Sequence, residues 1–221
     1  MKRHACPAAL LACGLMAAAF LTSARATDKK KSADSPGEWV SLFDGTTLSG
    51  WEAIQLNPNK ESKWEVVDGA IVGSGYPSML FSPKGEYKNF KFRAEIKIND
   101  HGNSGMYFRT KKGASFTDGY ECQINASHSD PIRTGSIYTF VHLFDTSNPP
   151  PPDEWFTQEV EAKDENYRGK MVTTIRVRVN NKLLFEFHDF DRTFTSGHFA
   201  FQQHDPGSKV AIRKIEVMES P

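Results

Sequence analysis

The chain has 221 residues, with 27 Lys and Arg against 27 Asp and Glu and a formal net charge of zero. A nucleic-acid binder carries a basic excess or a basic stripe, so this balance excludes a phosphate backbone as the default partner.

The chain begins with Lys2 and Arg3, continues through the apolar run Ala8 to Leu21, and reaches Ala24-Arg25-Ala26. This is the pattern of a secretory signal over residues 1–26. The apolar run is 14 residues long, short of the ~20 that span a bilayer as a helix. Cleavage and export to the periplasm or the medium are therefore expected, with no membrane span. A lipoprotein site at Leu11-Ala12-Cys13-Gly14 is the rival reading, but His4, Cys6 and Pro7 leave too short an apolar stretch before it. Loss of residues 1–26 removes Lys2, Arg3 and Arg25 and leaves the remainder near −3. Cys6 and Cys13 go with them, so Cys122 stands alone, no intramolecular disulfide forms, and the core must hold by packing. Residues 27–36 (TDKKKSADSP) read as a flexible polar tether, and residues 37–219 as one domain.

Within that domain the apolar period is 2. Trp64 to Val67 and Ala70 to Val72 flank Asp68-Gly69, which predicts a hairpin. Phe90, Phe92, Ala94, Ile96 and Ile98 alternate with charged residues and predict a half-buried strand. Tyr120, Cys122 and Ile124 alternate with Glu121, Gln123 and Asn125. Asn148 to Asp153, with four consecutive prolines, predicts a stiff extended loop that could wall a cleft. Met171 to Val179 alternates again, and Asn180-Asn181 turns it into Leu183 to Phe187. No window keeps apolar residues at helical spacing. More than ten short strands exceed one twisted open sheet, so the fold class is all-β, a two-sheet antiparallel jelly-roll sandwich of the concanavalin type.

On the polar faces of these strands sit the residues able to do chemistry. Asn103-Ser104-Gly105-Met106-Tyr107-Phe108-Arg109 places Tyr107 and Arg109 opposite Met106 and Phe108. Gly119 to Asn125 places Glu121 and Gln123 on one face. Ala200, Gln202 and His204 share a face opposite Phe199 and Phe201. The plainer reading of Glu121 and Gln123 is a wet sheet face, and of Arg109 a structural counter-ion to Glu121. Metal-binding and phosphate-cradling motifs are absent from the sequence.

Ser41-Leu42-Phe43-Asp44-Gly45 with Leu48, Gly50 and Trp51 resembles the opening of the 3-keto-disaccharide hydrolase domain family of secreted bacterial jelly-roll proteins. Trp64 to Gly69, Asn103-Ser104-Gly105 with Phe108-Arg109, and Tyr120 to Ile124 continue the resemblance in order. Gly135 to Tyr138, Glu154-Trp155, Val179 to Asn181 and Phe201 to His204 complete it. Phe156 and Asp205 depart from the family pattern, which usually has Asn and Gly there.

The resemblance implies a sugar substrate with a ketone at carbon 3. Such a ketone acidifies the hydrogen on carbon 2, so the glycosidic bond can leave by elimination and water can add afterwards, a route open to a single general base. Glu121 is the expected base, and His204 the expected proton donor or metal ligand. Asn103, Arg109 and Gln123 are expected to hold hydroxyls and the enolate oxygen, with Tyr107, Tyr138, Trp155 and Gln202 as further sugar contacts. No cofactor is evident; a divalent cation on Glu121 and His204 with waters stays open. The alternative is a lectin-like carbohydrate-binding module without cleavage, built on a shallow tryptophan platform instead of a pocket holding Glu121 and His204.

Overall fold

The alternation read in the sequence folds into thirteen strands, with no helix among the described residues. The computed structural model describes Met1, residues 37–144 and residues 150–220. The signal and tether expected over residues 1–36 lie outside these apart from Met1, as does the start of the proline loop at Asn148 and Pro149. In chain order the strands are β1 (Val40–Ser41), β2 (Glu52–Gln55), β3 (Ser62–Val67), β4 (Ala70–Gly75), β5 (Ser78–Phe81), β6 (Phe90–Ile98) and β7 (Ser104–Thr110). They continue with β8 (Tyr120–Ile124), β9 (Phe156–Tyr167), β10 (Lys170–Val179), β11 (Lys182–Asp189), β12 (His198–Gln203) and β13 (Val210–Glu219).

The larger sheet runs β11-β10-β9-β6-β13-β4-β3, with β1 added to β13, and the smaller runs β2-β5-β12-β7-β8. Every strand pairing is antiparallel. Both expected hairpins form. Asp68 and Gly69 take φ of 50° and 76°, and Asn180 and Asn181 take 47° and 63°, the left-handed values that a two-residue connection of right-twisted strands requires.

The core lies between the sheets. Phe90, Phe92, Ala94, Ile96 and Ile98 are buried while their neighbours on β6 are half-buried, and they face Met106, Phe108, Tyr120, Cys122, Phe199 and Phe201 from the smaller sheet. Phe199 stacks on Phe92 at 3.9 Å and on Tyr87 at 4.2 Å between centroids. Each such ring contributes roughly 1.5–3 kcal/mol by leaving water. Phe156 enters this core at 3% exposure.

The smaller sheet differs from the sequence reading in one respect: its outer face is not wet. Strands β5, β7 and β8 are buried at every position. Met79, Phe81, Tyr107 and Ala200 form a second apolar cluster there, covered by Ile54, Leu56 and Phe116. The edge of β8 is covered too. The amide of Gln123 donates to Ser136 O at 2.9 Å, that of Gly135 to Gln123 O at 3.0 Å, and that of Tyr138 to Glu121 O at 2.9 Å. Residues 134–138 thus satisfy backbone groups that a bare edge would leave to water.

Arg109 joins the sheets. The sequence places it beside Tyr107 on the outer face, but its backbone takes a φ of 49° and turns the side chain the other way. The guanidinium is fully buried and pairs with Asp164 Oδ1 of β9 at 2.9 Å, not with Glu121. It also donates to Thr173 Oγ1 at 3.0 Å, to Phe194 O at 3.0 Å and, through Nε and Nη2, to Lys88 O at 2.9 and 2.6 Å. Its expected place among the sugar contacts is corrected: its donors are spent inside the protein. Asp164→Ala is expected to lower stability by roughly 3–5 kcal/mol in urea unfolding, because it strands a buried charge; a loss below about 1 kcal/mol would show that the pair is dispensable.

Candidate functional site

The outer face of the smaller sheet carries a cavity of about 320 Å³ at its β8 end, lined by Asn103, Glu121, Gln123, Tyr138, Gln202 and His204 among others. Strand register explains the grouping. Glu121 pairs with Tyr107 on β7, which pairs with Ala200 on β12. One pleat further along, Gln123 pairs with Gly105, and Gln202 lies two residues past Ala200. Side chains two apart on a strand share a face, so three strands contribute one row after another to a single surface.

Glu121 is the most perturbed acid of the cavity. It is 8% exposed, and burial pushes its pKa from 4.5 up to about 8; the Tyr107 hydroxyl acts against the rise and the charge of Asp130 adds to it. The carboxyl is therefore mostly protonated at neutral pH. Gly105 makes room for it. A Cβ at Gly105 would meet Glu121 Oε1 at 2.3 Å and Tyr107 Cε2 at 2.7 Å, so the Asn103-Ser104-Gly105 stretch requires glycine by close approach. Hydrogen bonding orients the Gln123 amide with its nitrogen towards Glu121 Oε1, 3.2 Å away, and Ser104 O, 3.1 Å away.

Tyr107 is fully buried and lies behind Glu121 instead of lining the cavity. Its hydroxyl donates to Phe116 O at 3.2 Å and accepts from Gln202 Nε2 at 3.1 Å. Gln202 Oε1 has no hydrogen-bond partner among the described residues.

His204 leans on Asp205, with Nδ1 2.8 Å from Oδ2. The same carboxylate accepts from Ser208 Oγ and from the Gly207 amide, both at 2.8 Å. Burial works to raise the Asp205 pKa, but these hydrogen bonds outweigh it and hold the carboxyl below its usual range. Facing an ionised carboxylate, His204 Nδ1 must carry a proton, which leaves Nε2 of the neutral ring with its lone pair. Gln203 fixes the turn by donating to Asp205 O at 2.7 Å and Ser208 O at 2.9 Å.

His128, His204 and Asp205 offer donor atoms within 4.8 Å of one another, a set suited in composition to a divalent transition metal. The tautomer works against it. His128 Nδ1 accepts from the Asp130 amide at 3.0 Å, so the proton of the neutral ring sits on Nε2, the nitrogen that faces Asp205 at 3.8 Å. A ligating nitrogen must be bare and its partner nitrogen must donate; the cluster as folded is a hydrogen-bonding one.

Trp155 is the other expected contact that lies elsewhere. It packs against Ala70, Val72 and Ala211 on the far face of the larger sheet, with the Arg213 guanidinium 4.1 Å and the Lys97 ammonium 5.1 Å from its rings. Conversely, Phe116, Asp130, Phe140 and Phe194 line the cavity without having been singled out. All four come from connections between strands, where no period assigns a face. The one available signal was Asp130-Pro131, a turn pair that presents a carboxylate. Its Oδ1 accepts from the Ile132 amide at 2.8 Å and its Oδ2 from the Tyr138 hydroxyl at 3.3 Å.

Comparison with known proteins adds a family to this geometry. Residues 38–218 match the family model of the 3-keto-alpha-glucoside-1,2-lyase-like domain. A 3-keto-disaccharide hydrolase of Bacteroides thetaiotaomicron is 30% identical over 188 residues, an alignment that takes in 71% of this chain and 61% of that protein. The chain thus spans about 61% of the length of that relative. Among solved structures, a Parabacteroides distasonis protein provisionally assigned as a glycosyl hydrolase superposes with a TM-score of 0.64 at 19% identity, over 82% of this chain and 99% of that one. The carbohydrate-binding module CBM66 of Bacillus subtilis gives 0.57 at 16%, over 77% and 96%. A galectin-like protein of the same organism gives 0.59 at 12%, over 84% and 97%. Identities this low establish the sandwich fold alone.

The buried carboxyl carries a signature in stability. Glu121 holds its proton to about pH 8 when folded and to about pH 4.5 when unfolded, so its share of stability is complete below 4.5 and is lost as pH rises through 8. Melting curves between pH 5 and 9 should show the wild type losing on the order of a few kcal/mol relative to Glu121→Gln. Parallel curves for the two proteins would mean that the carboxyl ionises freely in the fold.

Proposed function

The chain belongs to the 3-keto-alpha-glucoside-1,2-lyase-like domain family, and from that premise we propose that it cleaves the glycosidic bond of 3-keto glycosides by elimination followed by hydration. The observation that carries the reading is the pairing, in one cavity, of a carboxyl that burial keeps protonated with a histidine whose proton is held on Nδ1 by Asp205.

The two roles are exchanged relative to the sequence expectation. His204 Nε2 is the base and Glu121 the acid, because a carboxyl with a pKa of about 8 is a proton donor at neutral pH. His204 takes the proton from carbon 2, and the C–H electron pair forms an enolate with its charge on the carbon-3 oxygen. The enolate collapses to the ketone, a double bond forms between carbons 1 and 2, and the glycosidic oxygen leaves with the proton of Glu121. In the second half, the Glu121 carboxylate takes a proton from water as the water oxygen bonds to carbon 1, and His204, its Nε2 proton exchanged with solvent once the alcohol has left, protonates carbon 2. Both groups end as they began. Asn103, Gln123 and Gln202 are the donors and acceptors available to hold hydroxyls and the enolate oxygen. Export of the mature chain, expected from residues 1–26, puts the reaction outside the cytoplasm.

Binding without cleavage draws less support. A lectin-like site stacks sugar on indoles, and none of the four tryptophans lines the cavity. Trp51 is buried in the core, Trp64 packs against it and donates to Ser78 Oγ at 3.0 Å, and Trp39 lies under the Arg93 guanidinium at 3.8 Å.

Incubation of the purified protein with a 3-keto glucoside in heavy water is expected to place deuterium on carbon 2 of the released keto sugar, faster than the ketone exchanges alone. Cleavage without that label would mean direct displacement at carbon 1 and overturn the elimination route. Glu121→Gln should cut turnover by about a hundredfold or more, and it should also abolish the fall in kcat/KM expected of the wild type above about pH 8. Near-normal turnover in this variant excludes Glu121 as the acid.

A further inference from the structure

The cavity has two chemically different ends, and Glu121 stands between them. Glu121 and Gln123 follow one another on one face of β8, about 7 Å apart at the ordinary rise of a strand, and Gly119, just before β8, lines the cavity on the other side of Glu121. Beyond Gln123 the lining is mainly polar, with Asn103, Gln202, Asp130 and His204, the last stacked on the single ring of Phe116 at 6.2 Å. The buried Gln202 Oε1 lacks a partner among the described residues, an acceptor placed to take a hydroxyl proton.

At the Gly119 end the lining changes. Phe140 and Phe194 both pack on Tyr120, the residue after Gly119, with ring centroids 5.4 and 5.0 Å away, and both reach the cavity. Phe194 is held there from two sides: its carbonyl accepts from Arg109 Nη1 at 3.0 Å and its amide donates to the Tyr120 hydroxyl at 3.4 Å. The polar side chains beside this pair are the exposed hydroxyls of Thr139 and Thr193 at the rim.

An acid that protonates a glycosidic oxygen lies at the boundary between the sugar and what leaves it. Resting on the catalytic reading above, we infer that the keto sugar occupies the Gln123 end and that the leaving group occupies the Phe140–Phe194 end, so that the preferred substrates are 3-keto glycosides of apolar, ring-bearing alcohols, not disaccharides. A second sugar would bring several hydroxyls against two phenyl rings, with only the rim hydroxyls of Thr139 and Thr193 to replace the hydrogen bonds lost to water. A flat apolar ring would bury its faces against the same side chains and keep its hydrogen-bonding end for Glu121.

The test compares methyl 3-keto-glucoside, benzyl 3-keto-glucoside and the 3-keto form of a glucose disaccharide, all of one anomer. Methanol and benzyl alcohol are of similar acidity, so their ratio reads contact and not chemistry. The wild type should favour benzyl over methyl by roughly tenfold or more in kcat/KM, with the disaccharide no better than methyl. Phe194→Leu and Phe140→Leu should bring the benzyl-to-methyl ratio towards one. Calorimetry on Glu121→Gln should give the same order of affinities without turnover. Equal benzyl and methyl values, or a disaccharide that exceeds benzyl, overturn the inference while the catalytic reading stands. An affinity order favouring benzyl in a protein that cleaves none of the three supports the pocket preference and overturns the catalytic reading instead.

Discussion

A guanidinium withdrawn from water has five N–H groups and no way to shed its charge, so every acceptor it needs must be built around it. Arg109 meets that demand with Asp164 and Thr173 from the larger sheet and with the carbonyls of Lys88 and Phe194 from two connections. The consequence is positional more than energetic, since a buried ion pair gains little over a well-packed apolar pair of the same shape. It fixes how the smaller sheet lies on the larger, and through Phe194 it fixes one wall of the cavity. Tyr120 and Asp189 complete the arrangement: the phenol donates to Asp189 Oδ2 at 2.5 Å and the same oxygen accepts from the Thr193 amide at 2.7 Å. The residues that line the pocket are thus held by others that never touch its contents.

On the opposite wall the governing quantity is desolvation. Glu121 sits on a sheet face that an ordinary sandwich would leave to solvent. Phe116 packs over that face and burial removes the water that would stabilise a carboxylate, while the charge of Asp130 disfavours a second negative charge. Asp205 shows the opposite balance within a few residues of chain: three hydrogen bonds keep it ionised despite partial burial. Two acids in one neighbourhood are driven in opposite directions, Glu121 by desolvation and Asp205 by hydrogen bonds, so a protonated and an ionised carboxyl coexist there at the same pH.

Much of this was legible beforehand. Strict alternation in Phe90 to Ile98 gave the strand its faces, and the glycine and asparagine pairs gave both hairpins, because period and left-handed turns are local properties of the chain. Asn103, Glu121, Gln123, Gln202 and His204 could be placed on common faces for the same reason. Arg109 could not, because one residue with positive φ reverses the side to which a side chain points, and periodicity carries no sign of it. Trp155 lies one residue before β9 begins, where alternation has not started. Asp130, Phe140 and Phe194 sit on connections whose course depends on what they pack against, and that is decided only in three dimensions.

The segment hydrogen-bonded along β8 bears on how the protein keeps to itself. A sheet that ends in an open row of amides and carbonyls invites another chain to continue it. Here the rim beside the cavity is occupied by the protein's own residues 134–138, so a neighbouring molecule finds no ladder to extend on the side where substrate must enter. One wall of the pocket and the pairing of that edge come from one stretch of chain.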